Sequence, residues 1–321
     1  LWVVTIIRND GLIGLTTVTS KETPTKEHPL VKKLLNNYSI ETTPNVYEKY
    51  GKFSDLISTD NAVYVTYLPD ENSSRVINTA KKLTNEGFDV IPHLPARTIK
   101  DNNELEKYIG DLSEKAGCNK ILVIGGGSNQ KGNITSSLDI LKTDLLSKYQ
   151  FKEVGLAGHP DGNPDISEEE LDKAIIEKNE FVKNVDYKAY LATQFFFEVS
   201  SLEIWEQKLN LHNNKLEIHA GIPGPATLKT LIAYAKSCGI GNSIHFLSKQ
   251  ARNITKIMKT RTPDKLIADL ADYKEERPNS KLAKLHFYAF GGIKTTSEWL
   301  YDVINSNLEI NSKNEFKIIG K

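Results

Sequence analysis

Cysteine is nearly absent from this chain, with Cys118 and Cys238 the only two among 321 residues. A disulfide framework is therefore not expected, and a reducing cytoplasm is the simplest setting. Neither sign of charge is in excess: Lys+Arg and Asp+Glu both number 41, so the formal net charge is zero. A dedicated nucleic-acid binder would normally carry a basic surplus, so that class is set aside. Long hydrophobic runs are also missing. The most apolar stretch, Leu1 to Thr19, is interrupted by Arg8, Asn9 and Asp10. That is too broken for a membrane span, and it lacks the continuous core and cleavage site of a signal peptide. None of the seven histidines is paired at helical ligand spacing, so no zinc site is expected.

What is present is a repeated alternation. Candidate strands fall at 38–43, 62–67, 88–93, 120–125, 152–157, 189–195, 215–221 and 284–290. Helix-period segments lie between them at 71–86, 102–117, 134–149, 167–184, 201–209 and 225–238. Two or three more fall in 246–276, and a last one covers 296–306. Strands alternating with helices of this length predict parallel β/α units. Eight units predict a closed (β/α)8 TIM barrel, with an open doubly wound sheet as the second choice. Extra helices are expected between strands 7 and 8. Residues 1–36 read as an N-terminal extension that ends in a short helix over Pro29–Asn36, and residues 37–321 as the catalytic barrel. Asp101, Asn133 and Ser167 are expected N-caps, and Gly87 and Gly239 C-terminal stops.

Chemistry in such a barrel belongs at the C-terminal strand ends. Those ends read Glu41, Thr66, His93, Gly125-Gly126-Gly127, His159, Gln194, Gly221 to Pro225, and Tyr288. An acid or amide ending a buried strand needs a partner, and a ligand is one candidate. The glycine run lets a backbone approach a ligand closely. With the helix start expected near Asn133 it would suit a pyrophosphate, or it is simply a tight turn. The loop His159 to Asp165 is stiffened by two prolines and reads either as a ligand-holding loop or as an ordinary turn. Of Phe195, Phe196 and Phe197, at least two are expected in the core. Gln194 is different, because an amide at that depth requires a defined partner.

These residues, in this order, resemble the methylenetetrahydrofolate reductase family from about Tyr38 to about Asn305. Ile40-Glu41-Thr42-Thr43-Pro44 resembles its first-strand acid and proline. Val65-Thr66-Tyr67 resembles its V-T-Y, and His93-Leu94 the start of its H-L-T-C. His159 to Asp165 is similar to Y-P-E-x-H-P-E. Ala192-Thr193-Gln194-Phe195-Phe196-Phe197-Glu198 is close to I-T-Q-F-F-F-D. Ala220 to Pro225 echoes P-G-I-L-P, and His286-Phe287-Tyr288 matches H-F-Y.

The resemblance implies a flavin-dependent barrel that interconverts 5,10-methylene- and 5-methyltetrahydrofolate in one-carbon metabolism, feeding methionine biosynthesis. FAD is implied in preference to FMN, with NADH or NADPH as the electron partner. A tetrahydrofolate derivative is the implied substrate, and homo-oligomer formation is left open. Glu41 then matches the general acid, kept protonated by burial. Gln194, Leu228 and Tyr288 match substrate-binding positions. Thr66, His93, Gly125, Gly126, Gly127, Ala157, His159, Asn163, Asp172 and Lys183 match cofactor-binding positions. Departures are also visible. The glycine run replaces an R-G-D, His159 replaces a tyrosine, Asn163 a histidine and Leu228 a phenylalanine. Losing the R-G-D arginine and aspartate pushes a flavin's potential in opposite directions. The altered turn motivates a rival, a flavin-independent folate methyltransferase or one-carbon carrier on the same barrel. A third expectation is partner binding through residues 1–36, whose deletion would leave the barrel folded.

Overall fold

The computed structural model describes residues 29–127, 129–240, 247 and 258–319. The N-terminal segment 1–28, and most of 241–257, where further helices are expected between strands 7 and 8, lie outside the described residues. Eight parallel strands close into a barrel: β1 (Ser39–Thr42), β2 (Ala62–Val65), β3 (Val90–Pro95), β4 (Lys120–Ile124), β5 (Glu153–Gly158), β6 (Lys188–Phe195), β7 (Glu217–Pro223) and β8 (Leu282–Tyr288). Each pairs with its chain neighbour, and β1 closes on β8 with Ser39 opposite His286 and Ile40 opposite Phe287. The expected (β/α)8 TIM barrel is therefore the fold.

The helices are α1 (Pro29–Leu35), α2 (Pro44–Tyr50), α3 (Ser73–Asn85), α4 (Asn102–Gly110), α5 (Ser137–Leu141), α6 (Leu145–Lys148), α7 (Glu168–Phe181), α8 (Val199–Leu211), α9 (Leu228–Ser237), α10 (Asp264–Glu276) and α11 (Ile293–Asn305). Side chains alternate between the two faces of each strand. The outer face, with residues such as Ile40, Val63, Val154 and Phe287, meets the helices in one large apolar cluster. The inner face holds a smaller one of Tyr64, Ile91, Leu122, Tyr190 and Ala192. Polar groups share that inner space. The Tyr64 and Tyr190 hydroxyls are hydrogen-bonded at 2.7 Å, and the Tyr190 ring stacks on His219 with centroids 4.0 Å apart.

Several local expectations change. A helix that the sequence pattern had not suggested, α2, follows β1 directly: Thr43 accepts from the Val46 N–H at 3.2 Å and Pro44 takes the first helical turn. This is the structural use of the Thr43-Pro44 step. The helix expected over 134–149 is two short ones, because Asp144 adopts φ 56° between them. Asn133 is not a cap; Ser136 is, in a capping box with Asp139, while Asp101 and Ser167 cap as expected. Helix α1 is part of the body. Val31 and Leu35 are fully buried in the main core, so removing residues 1–36 would take core side chains with it. Two small antiparallel pairs, Ala226–Thr227 with Thr260–Arg261 and Asn307–Ile310 with Phe316–Ile319, were not anticipated. No helix among the described residues is long and apolar enough to cross a membrane.

Candidate active site

Glu41, one residue before the end of β1, is the centre of a hydrogen-bonded chain at the barrel mouth. Its Oε1 accepts from the Thr66 hydroxyl beyond β2, and its Oε2 lies 3.3 Å from His286 Nε2 on β8. His286 Nδ1 lies 3.0 Å from the Ser39 hydroxyl, one inward position below Glu41. The pairing fits a tautomer with the proton on Nε2, Ser39 donating to Nδ1 and His286 donating to Glu41. Three strands thus fix one carboxyl whose side chain keeps 16% of its surface exposed.

Burial alone pushes the Glu41 carboxyl up. The His286 hydrogen bond, the field of His93, the field of His286 and the Thr66 hydroxyl outweigh it, and bring the carboxyl down to about 2. This corrects the expectation that burial keeps Glu41 protonated: its hydrogen-bond partners favour the carboxylate. Burial also pushes His93 down, despite the opposing pull of Glu41. His93 is therefore uncharged near neutrality, and its help to Glu41 is confined to acid pH.

Across the mouth, β6 departs from regular pairing between Ala192 and Phe195. The bulge is pinned from two sides. Tyr288 donates its hydroxyl to the Thr193 carbonyl at 2.9 Å, and the Gly221 N–H donates to the Thr193 hydroxyl at 2.8 Å. Gly221 has to be glycine, since a Cβ there would lie 2.6 Å from the Thr193 carbonyl oxygen. The bulge carries Gln194, whose Oε1 is buried without a hydrogen-bond partner. Tyr288 links the two halves, because its ring also packs on His286 at 4.9 Å and on Phe195 at 5.4 Å. Phe195 and Phe196 are core residues, as expected.

His93 Nε2 is a second buried polar atom without a partner. Beyond neighbouring β4, Gly125 and Gly127 face open space, and Gly126 takes φ 87° with Pro95 close beneath it. No helix begins at this turn, because α5 starts only at Ser137. Past β5, His159 is pushed down to about 4 by burial and by the nearby Lys178 charge. Asn163 is used locally, its Oδ1 accepting from the Asp165 N–H at 2.9 Å.

Three residues expected to contact ligands have other partners. Lys183 is exposed just past the end of α7 and bonds Glu180 at 2.5 Å. Asn179, one turn earlier, already bonds Asn214 and the Lys215 N–H ahead of β7, so Lys183 lies toward the opposite end of the barrel. Asp172 faces His212, which ends α8, at 3.5 Å. Leu228 has no exposed surface and packs in a satellite cluster with Phe195 and Leu231. Sequence reasoning missed Lys178, which is buried with its ammonium 3.4 Å from the Ala157 carbonyl. Burial pushes it down to about 8. A buried ammonium with one long hydrogen bond is suited to an anion. The roles of Ser39 and His286 were also missed, although His286 belongs to a quoted motif.

Helix α9 lies over this end. With Phe195, Tyr288 and Phe290 it forms the satellite cluster, and Tyr234 stacks on Phe290 at 4.0 Å. Gly239, at φ 66° just past α9, touches Pro164 of the loop after β5 so closely that a Cβ would lie 2.2 Å from its Cγ.

Among solved structures, similar folds include dihydropteroate synthase from Thermus thermophilus, at 11% identity over 83% of this chain and 92% of that one, with a TM-score of 0.44. Dihydropteroate synthase from Yersinia pestis matches at 14% identity, over 84% and 94%, with the same score. At that level the likeness says nothing of this chain's chemistry. The profile of the family described as methylenetetrahydrofolate reductase matches residues 40–291, spanning all eight strands and both Glu41 and Gln194. The chain belongs to the methylenetetrahydrofolate reductase family.

Proposed function

We propose that the chain is a flavin-dependent oxidoreductase that interconverts 5,10-methylenetetrahydrofolate and 5-methyltetrahydrofolate, with NADH or NADPH exchanging electrons in a separate half-reaction. The observation that carries this is that the pinned Glu41 carboxyl and the partnerless Oε1 of Gln194 lie near the C-terminal ends of two strands, β1 and β6, of one barrel. The first can hold or move a proton. The second needs a hydrogen-bond donor, which the amino and ring N–H groups of a pterin provide.

The residues present also fit a flavin nucleotide. His93 Nε2 wants a partner, Gly125 and Gly127 leave room, and Lys178 offers a desolvated cation for a phosphate. FAD is preferred to FMN. A bound flavin would supply the hydride chemistry. The protein supplies position and proton control. Closing or opening the five-membered folate ring requires a proton to leave or reach a ring nitrogen, and Glu41 is the group for it. As a resting carboxylate, Glu41 is ready to accept that proton, which suits the methyl-to-methylene direction. In the other direction it must first be protonated. A ligand that covers the mouth and strips away water pushes the carboxyl toward that state.

The test is direct. Purified protein should be yellow and should oxidise 5-methyltetrahydrofolate with an artificial acceptor. Glu41→Gln should retain flavin and lose roughly 10²- to 10⁴-fold in folate turnover. Wild-type turnover by that variant would remove Glu41 from the chemistry. A colourless protein that cannot be reconstituted, yet transfers methyl groups, would favour the flavin-independent rival.

A further inference from the structure

The strand starts, at the end of the barrel opposite the mouth, carry a run of charges. Lys120, which begins β4, bonds Asp89 ahead of β3 at 2.9 Å and Glu153 at the start of β5 at 3.0 Å. Lys188, which begins β6, bonds Glu217 at the start of β7 at 2.7 Å. Lysines and acids therefore alternate around this end and pair off, as a structural plug would require. Lys284, near the start of β8, breaks the pattern. It is half-buried and forms no ion pair among the described residues.

Lys284 is paired in register with His219 on β7. The His219 ring turns into the barrel, where it stacks on Tyr190, and only 6% of the residue is exposed. Its Nδ1 is buried without a hydrogen-bond partner. Burial, and then the Lys284 charge, push the imidazole down to about 3, so it is uncharged near neutrality. A neutral ring with its proton on Nδ1 is a donor in need of an acceptor.

Further cations stand beside this pair: Lys281 just ahead of β8, Lys274 on α10 and Lys33 on α1. They lie in one another's field. Burial pushes Lys274 down, Glu206 opposes it, and the charges of Lys281 and Lys33 add to the push. None of the three forms an ion pair among the described residues. The acids nearby are already engaged. Glu217 is held by Lys188, and Glu206 accepts from the Tyr273 hydroxyl at 2.6 Å and the Ser280 hydroxyl at 2.7 Å. A water would satisfy the imidazole N–H and leave these ammonium groups uncompensated, whereas an anion answers both needs. Lysines act as point charges from several directions, which suits a tetrahedral phosphate better than a planar carboxylate.

We propose that Lys284 and the His219 Nδ1–H, with Lys281 beside them, form a binding site for a phosphate-bearing ligand at the N-terminal end of the barrel. The site is separate from the mouth and does not depend on the folate reading.

Titration of the full-length protein with inorganic phosphate at fixed ionic strength tests it, followed by calorimetry and by the His219 ring signals in NMR. Wild type should show one saturable site whose filling moves those signals. Lys284→Gln and His219→Phe should each weaken binding by about tenfold or more. Lys107→Gln, an exposed change on α4, should leave it unchanged. Lys284→Gln alters a half-buried side chain and keeps the test decisive should His219→Phe fail to fold. Acetate should bind more weakly than phosphate. Phosphate binding that survives Lys284→Gln, or that leaves the His219 signals in place, would overturn the proposal. So would the absence of saturable binding by wild type. Acetate bound as tightly as phosphate would overturn the choice of ligand.

Discussion

Glu41 and the buried histidines set how the molecule responds to acid. His219 is pushed down to about 3, first by burial and then by the charges of Lys284, His286, Lys188 and Lys120. Burial and the Lys178 charge bring His159 down to about 4. Each imidazole binds its proton more weakly in the fold than in the unfolded chain. The stability that they support is therefore complete above about pH 6.5 and drains as pH falls toward these values. The Glu41 contribution is complete above its ordinary value of 4.5 and is lost as pH falls toward 2. Acid titration of the melting temperature should show both stages. His219→Phe should flatten the first by on the order of a few kcal/mol across that range. At the mouth, Ser39→Ala leaves His286 Nδ1 without its donor. Its expected signature is a displaced pH profile for folate turnover, with flavin retention unchanged.

The residue scale also shows what a sequence can and cannot say. Glu41 and Gln194 were readable because strand-end position and polarity together leave few structural uses for them. Lys178 was not readable. It shares the buried face of α7 with Ile175 and Asn179, a stripe in which two of three members are polar. A search for apolar periodicity passes over such a face. Thr66, expected against a cofactor, donates to Glu41, a pairing across 25 positions that no local pattern encodes.

Among the elements, the bulge in β6 is the part most sensitive to substitution. Gly221→Ala would put a methyl 2.6 Å from one carbonyl oxygen and 2.7 Å from the next, forcing the bulge to move. The expected cost is about 1–3 kcal/mol, with a raised KM for folate and unchanged flavin content. The contact of α9 with the loop after β5 is similarly tight. Gly239→Ala would meet both a left-handed backbone and Pro164, and should loosen α9. Hydrogen exchange of the α9 amides is the measurement, with faster exchange expected. All eight strands and Gly87 and Gly239 as helix stops were legible, since strand period and glycine punctuation are local signals. The two-residue strands were not, because two residues carry no period. The break at Asp144 was also hidden, because an aspartate rarely adopts φ 56°.

For the whole molecule, one apolar cluster joins the outer barrel face to α1, α10 and α11. Leu35→Ala, in a helix ahead of the first strand, should therefore destabilise the entire barrel by roughly 2–5 kcal/mol. Denaturant unfolding followed by Tyr and Trp fluorescence would read this. Removing only residues 1–28 should spare those contacts. Barrel closure itself was inferred from counting β/α units, and that inference holds because sheet twist and right-handed crossovers leave few other ways to bury eight such strands.

The backbone bulge that carries Gln194 is not a property of β6 alone. It is held by a hydroxyl from β8, an amide from β7 and the missing side chain at position 221. A protein engineer who transplanted the A-T-Q-F-F-F string into another scaffold would move the glutamine and leave its mount behind. The smallest transferable part is a three-strand wedge, and homologous swaps that keep β6, β7 and β8 together are the ones that should preserve the bulge.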